Sequence, residues 1–78
     1  MNAKDNRILS GMLEFALRIS RRANGLTYEK FIEDIDIQDA ILYALGQLGE
    51  KTNMLSEAFR EKYPSEEWHS LIGLRFLV

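Results

Sequence analysis

Between Ala3 and Ala23 the apolar residues Ile8, Leu9, Met12, Phe15, Ala16 and Ile19 recur at three- and four-residue spacings, the period of an amphipathic helix. Asn2, with Asp5 three positions on, forms a capping arrangement at one end, and Asn24-Gly25 supplies the left-handed residue that commonly closes a helix at the other. Thr27 then caps a short second helix bearing Tyr28, Phe31 and Ile32, which leads into an acidic turn from Glu33 to Asp36. From Ile37 to Lys62 the residues Ile37, Ile41, Ala44, Leu48, Leu55 and Phe59 keep a near-heptad stripe. It predicts one rod of about 39 Å at 1.5 Å per residue, with Leu48 in its core face. Tyr63-Pro64 must end that rod, because proline has no amide hydrogen and restricts the residue before it. Ser65, followed by Glu66 and Glu67, opens a last helix with Trp68, Leu71, Ile72 and Arg75 on one side. Its apolar terminus, Phe76-Leu77-Val78, reads as covered by a partner or as the interior of an element that has been cut. The pattern as a whole predicts an all-α fold, a small antiparallel helical bundle in one domain over residues 1–78.

Length and composition narrow the function classes. A 78-residue chain buries only about 60% of its unfolded surface, so it needs a staple or a partner. With no Cys and a single His, His69, disulfides, thiol nucleophiles and structural zinc are excluded, and no metal or cofactor is expected. Ten basic against twelve acidic residues give a net charge of −2, so no global field draws the chain to nucleic acid or to an anionic membrane. The start, MNAKDNRILSGM, is charged where a signal peptide needs its apolar core, and no run approaches about 18 apolar residues. No membrane association and a cytoplasmic location are the expectation.

Each candidate for chemistry has a structural reading beside it. His69 could act as a general base, but it stands six residues from Arg75, about 120° around a helix; a surface histidine is expected. Arg18, Arg21 and Arg22 form a phosphate-binding cluster or, as expected here, complement the dipole at the end of their helix. Met12, Phe15, Phe31, Met54, Phe59 and Trp68 are expected in the core and not around a cofactor. Gly46 and Gly49 cost helix stability, which implies a close approach on that face by a partner or by this chain, with Glu50 beside them available to an arginine. Arg75 shares an apolar side of its helix, where a charge snorkels or faces a functional cleft.

The succession Gln38-Asp39-Ala40-Ile41-Leu42, Leu48-Gly49-Glu50-Lys51, Leu55-Ser56-Glu57, Tyr63-Pro64, Trp68 and Ile72-Gly73-Leu74-Arg75 resembles the HepT-like family of toxin ribonucleases, within the helical HEPN class. Gly25-Leu26-Thr27-Tyr28-Glu29-Lys30-Phe31 resembles the family's first loop and short helix. The resemblance implies a HEPN-like bundle lacking its C-terminal part, a homodimer with a composite RNase site, and RNA as substrate. It also implies a cognate antitoxin, a small nucleotidyltransferase similar to MntA, that adds AMP to a signature Tyr. The family signature is an Arg followed after four to six residues by a His and then a Tyr. Arg75 matches the Arg; Phe76 stands where Asn is usual, and the His and Tyr are missing. The expectation is therefore a toxin of a toxin-antitoxin module in a form shortened before its catalytic His and inactive as given. The alternative is a non-enzymatic helical dimerisation module that binds a toxin or a nucleotidyltransferase.

Overall fold

The structure, a computed structural model, describes residues 2–77, so Val78 of the apolar terminus lies outside the described residues. Five helices follow one another: α1 (Ala3–Ala23), α2 (Tyr28–Glu33), α3 (Ile35–Met54), α4 (Glu57–Lys62) and α5 (Glu67–Gly73), with a 3-10 turn over Leu74–Leu77. The described residues hold no strand, and the bundle is all-α. α1 has the predicted bounds. Asn2 Oδ1 accepts the Asp5 N–H at 2.7 Å, and Gly25 beyond the far end has φ 73°, the left-handed conformation that glycine enters without a Cβ penalty. Thr27 caps α2 as expected, its hydroxyl accepting from Lys30 N–H at 3.2 Å.

The predicted rod from Ile37 to Lys62 is two helices. α3 ends at Met54, Leu55 is extended (φ −60°, ψ 140°), and Ser56 caps α4 by accepting the Phe59 N–H at 3.1 Å. The physical reason lies in Asp5, a residue that belongs to the other long helix. Its carboxylate accepts both the Ser56 N–H at 3.0 Å and the Ser56 hydroxyl at 2.7 Å. One hydroxyl therefore donates to Asp5 while accepting from Phe59, using both of its capacities. The Ser56 N–H that would have joined a continuous helix has a charged partner instead. The heptad stripe already falters at Lys51-Thr52, where Thr52 bonds back to the Leu48 carbonyl at 2.7 Å. α3 thus runs for about 30 Å.

α1 and α3 are antiparallel neighbours, with Asp5 at Ser56, Gly11 at Lys51 and Phe15 edge-on to Tyr43 at 6.2 Å. α2 folds over one end of the pair. There Gln38 Nε2 donates to the carbonyls of Phe31 at 2.7 Å and Ile32 at 2.9 Å, supplying the partners that the last carbonyls of a helix lack. At the other end Phe59 packs with Tyr63 and Trp68, ring centroids 5.0 and 6.1 Å apart, and Trp68 Nε1 donates to the Tyr63 carbonyl at 2.8 Å. This cluster folds the chain back around Pro64.

Among the described residues the buried apolar side chains are Ile8, Ala44 and Leu55. Leu48 is half-buried. The expected aromatic and methionine core is not formed: Met12, Phe15, Phe31, Phe59 and Trp68 are each half-buried, and Met54 is 53% exposed. Two long helices with short elements at their ends enclose a seam, too narrow to surround large side chains.

Asp5 gives this seam a pH dependence. The backbone hydrogen bond from Ser56, and then that from its hydroxyl, hold the Asp5 carboxyl below its ordinary value. A depressed folded-state pKa contributes stability above the unfolded value, near 4, and that contribution is lost as pH falls through the folded value. Thermal melts are therefore expected to show a midpoint that drops as the pH falls below about 4. Asp5→Asn is expected to melt lower at pH 7 and to lack that part of the acid dependence. An unchanged acid slope would remove Asp5 from this role.

Candidate functional site

The last helix reaches α3 at Gly49. A Cβ built there would stand 2.5 Å from Arg75 N, 2.8 Å from the Leu71 carbonyl oxygen and 3.0 Å from the Leu74 carbonyl carbon. All three are backbone atoms, so no side-chain rotation could relieve the overlap; glycine is what allows the two backbones to touch. Gly46, one turn earlier, is also buried. At Gly49 the close approach is thus made by the chain's own last helix, and it falls on the arginine singled out by the sequence. Glu50 points to solvent, and among the described residues the one ion pair joins Glu14 to Arg18.

Arg75 stands in the 3-10 turn that follows α5. Its main chain rests on Gly49 and its side chain is half-buried, the guanidinium carbon lying 4.7 Å from the centroid of the Phe76 ring. An aromatic face attracts a guanidinium and leaves its N–H edge free to donate. Phe76 itself is 76% exposed. The tightening from α-helix to 3-10 turn keeps Arg75 on the side of Trp68, Leu71 and Ile72, since two residues at 120° replace two at 100°. At this position the structure places a cation whose main chain is seated on Gly49 and whose guanidinium lies beside the Phe76 ring.

The other candidates do not join it. His69 is exposed, as expected. Arg18, Arg21 and Arg22 lie in the last turns of α1, beside the N-terminal half of α3, whereas Arg75 sits against Gly49 in the C-terminal half. Arg18 bonds Glu14 and lies 4.9 Å from the Phe15 ring, and Arg22 Nη1 donates to the Arg18 carbonyl at 3.4 Å. These are the contacts of a helix C-terminus. Phe76 was legible as the residue standing where Asn is usual, but its ring contact with Arg75 was not.

The sequence of this bundle has counterparts among known proteins. The model of the family described as "Ribonuclease HepT-like" matches residues 12–77, and the chain belongs to that family. It is 33% identical over 70 residues to "Putative RNase MJ1380" of Methanocaldococcus jannaschii, a match covering 90% of this chain and 64% of that protein. It is 34% identical over 76 residues to "Putative RNase MJ0127" of the same organism, covering 96% and 63%. A third relative, "Putative RNase TTE0752" of Caldanaerobacter subterraneus subsp. tengcongensis, is 32% identical over 54 residues, 69% of this chain and 48% of that protein. The chain spans less than two thirds of the length of these relatives. No solved structure matches with comparable significance. No helix among the described residues is long and apolar enough to cross a membrane.

Proposed function

We propose that these 78 residues are the arginine-bearing helical part of a toxin ribonuclease of a toxin-antitoxin module, acting on RNA in the cytoplasm. Arg75 stabilises negative charge on the phosphate under attack. The observation that carries the reading is the seat of Arg75, a surface cation whose backbone is held against Gly49 within the segment that the family shares. A guanidinium stays protonated and cannot move a proton. Cleavage at a 2′-hydroxyl without metal needs an acid or base such as imidazole, worth about 10²- to 10⁴-fold in rate, and the one imidazole of this sequence is His69. The chain as given is therefore inactive. Activity requires a His, and AMP modification a Tyr, at the family spacing after Arg75. Two copies meeting beside Arg75 complete the composite site, where exposed Phe76 and Leu77 supply apolar surface, and a nucleotidyltransferase similar to MntA acts as antitoxin.

The second reading, a non-enzymatic module that binds a toxin or a nucleotidyltransferase, is favoured by the large apolar side chains left open on α1 and α3, among them Leu13, Leu17, Ile35 and Tyr43. A gel assay on transfer and messenger RNA separates the two. The expected outcome is no cleavage by the 78-residue chain, cleavage by a chain extended with His and Tyr at the family spacing, and loss of that cleavage with Arg75→Ala. If the extended chain is inert, the interaction module stands. Cleavage by the 78 residues that Arg75→Ala abolishes would show that the site works without its His.

A further inference from the structure

The groove between the first turns of α1 and the last turn of α3 holds a concentration of charge that neither the fold nor the ribonuclease reading uses. Its space of about 370 Å³ is lined by Lys4, Arg7, Ile8, Lys51 and Met54. Positions 4, 7, 8 and 11 are spaced as i, i+3, i+4 and i+7, so Lys4, Arg7, Ile8 and Gly11 share one face of α1. Lys51 comes to that face from α3. A Cβ at Gly11 would stand 2.9 Å from both Cδ and Cε of Lys51 and 3.2 Å from its Nζ, so the bare backbone of Gly11 is what lets the lysine reach across. Its ammonium ends 5.7 Å from the centroid of the Phe15 ring. Lys51 is half-buried, whereas Lys4 and Arg7 are exposed.

Three cations thus meet around one opening in a chain whose net charge is −2, and no carboxylate lines it. Of the carboxylates nearest along the two helices, Asp5 gives both oxygens to Ser56 and Glu14 pairs with Arg18. Glu50 is exposed and lies about 100° around α3 from Lys51. Helix stability does not account for the cluster. Lys4 stands in the first turn of α1, the positive end of the dipole, where a cation is disfavoured, and like charges around one groove repel. Only Lys51, in the last turn of α3, suits the end of its helix.

We infer that this groove is a phosphate-binding anchor for an RNA strand, with Lys4, Arg7 and Lys51 each taking a phosphate of its backbone. Besides the cations the lining offers only Ile8 and Met54, side chains without the donors and acceptors that read base edges. The contact is therefore independent of sequence, since phosphate contacts position a strand and base contacts specify it. The groove is separate from the seat of Arg75. Lys51, which reaches α1 at Gly11, and Gly49, on which the main chain of Arg75 rests, are two residues apart and so about 160° apart around α3. That the phosphates belong to RNA rests on the ribonuclease reading; that the groove takes phosphate does not.

Fluorescence anisotropy of the 78-residue chain with a labelled oligouridine of about 12 nucleotides, within the span of a single-strand site, tests the proposal. With three phosphates neutralised, the logarithm of the binding constant is expected to fall against the logarithm of salt with a slope of about −2 or steeper. Lys4→Gln/Arg7→Gln/Lys51→Gln is expected to bind at least about tenfold more weakly at about 50 mM salt, its slope reduced by about 2, with the helical signal retained. Arg21→Gln/Arg22→Gln/Lys30→Gln removes as much charge elsewhere and is expected to bind like wild type. Uridine monophosphate, which carries one phosphate, is expected to bind at least about tenfold more weakly than the strand. Arg75→Ala separates this groove from the ribonuclease reading: strand binding that survives it, and is lost in the groove variant, upholds the groove even where an extended chain cleaves nothing. A wild-type chain that does not bind the strand at low salt, wild-type affinity in the groove variant, an equal loss in the Arg21, Arg22 and Lys30 variant, or uridine monophosphate bound as tightly as the strand would each overturn the proposal.

Discussion

Leu55→Ala is expected to lower the stability of the domain by about 2 to 5 kcal/mol, the range for emptying a fully buried leucine site. Leu55 is 2% exposed, and it occupies the extended residue between α3 and α4. Its neighbours on either side of the break, Thr52 and Ser56, are tied to the Leu48 carbonyl and to Asp5. The surroundings therefore cannot collapse into the space, and the cavity term should be near its full value. A chain of this length has in all roughly 4 to 12 kcal/mol to lose. Urea denaturation followed by helical circular dichroism measures the change. Leu48→Asp, at a half-buried site whose carboxylate can reach water, is expected to cost less than Leu55→Asp. Equal midpoints for Leu55→Ala and wild type would mean that the seam is anchored elsewhere.

Gly49→Ala has the second large effect, and its sign runs against helix propensity. In an isolated helix the change would be worth about 1 kcal/mol in favour of alanine. Here the new methyl meets three backbone atoms of Leu71, Leu74 and Arg75, and overpacking of that kind costs about 1 to 3 kcal/mol. The last helix can relieve it only by moving off α3 and taking Arg75 with it. Trp68 is the single tryptophan, so a change in its emission and faster chymotryptic cleavage at Phe76 report the displacement. Gly73→Ala is the control of opposite sign, since a Cβ there meets nothing within 4 Å. A Gly49→Ala protein as stable as wild type would show that the backbones do not touch.

Local signals were legible in the sequence to the residue. Asn2, Gly25, Thr27 and Pro64 delimit elements through their own backbone and side-chain chemistry, so α1 begins and ends, and α2 begins, where these residues place them. The expected acidic turn from Glu33 to Asp36, by contrast, shrinks to Asp34 alone, which closes α2 and caps α3. The break at Leu55-Ser56 was not legible, because its cause is a carboxylate 51 positions away. A stripe of apolar residues cannot reveal a hydrogen bond made across the fold. The glycine at position 49 announced a close approach but not its partner, since Gly46 and Gly49 would read alike whether a second copy or the chain's own last turn lay against them. Arg75 stood out as a charge on the apolar side of its helix and then matched the Arg of a family motif, whereas its seat on Gly49 and its ring contact with Phe76 came from packing alone. The expected aromatic core failed for a geometric reason: spacing fixes which side of a helix a residue occupies, and not how many neighbours stand on that side.

The bond between Asp5 and Ser56 also bears on the order of folding. It closes the longest loop among the side-chain hydrogen bonds described, 51 residues. Closing a loop of that length costs conformational entropy before any contact rewards it. The helices and their caps are local and form on a far shorter timescale, so the Asp5 contact belongs after α1 and α3 have already come together. Interactions absent from the transition state act on the escape from the native state and not on its formation. The acid-sensitive link at the tip of the α1–α3 pair is thus a brake on unfolding, one that governs how long the assembled domain lasts more than how quickly it appears.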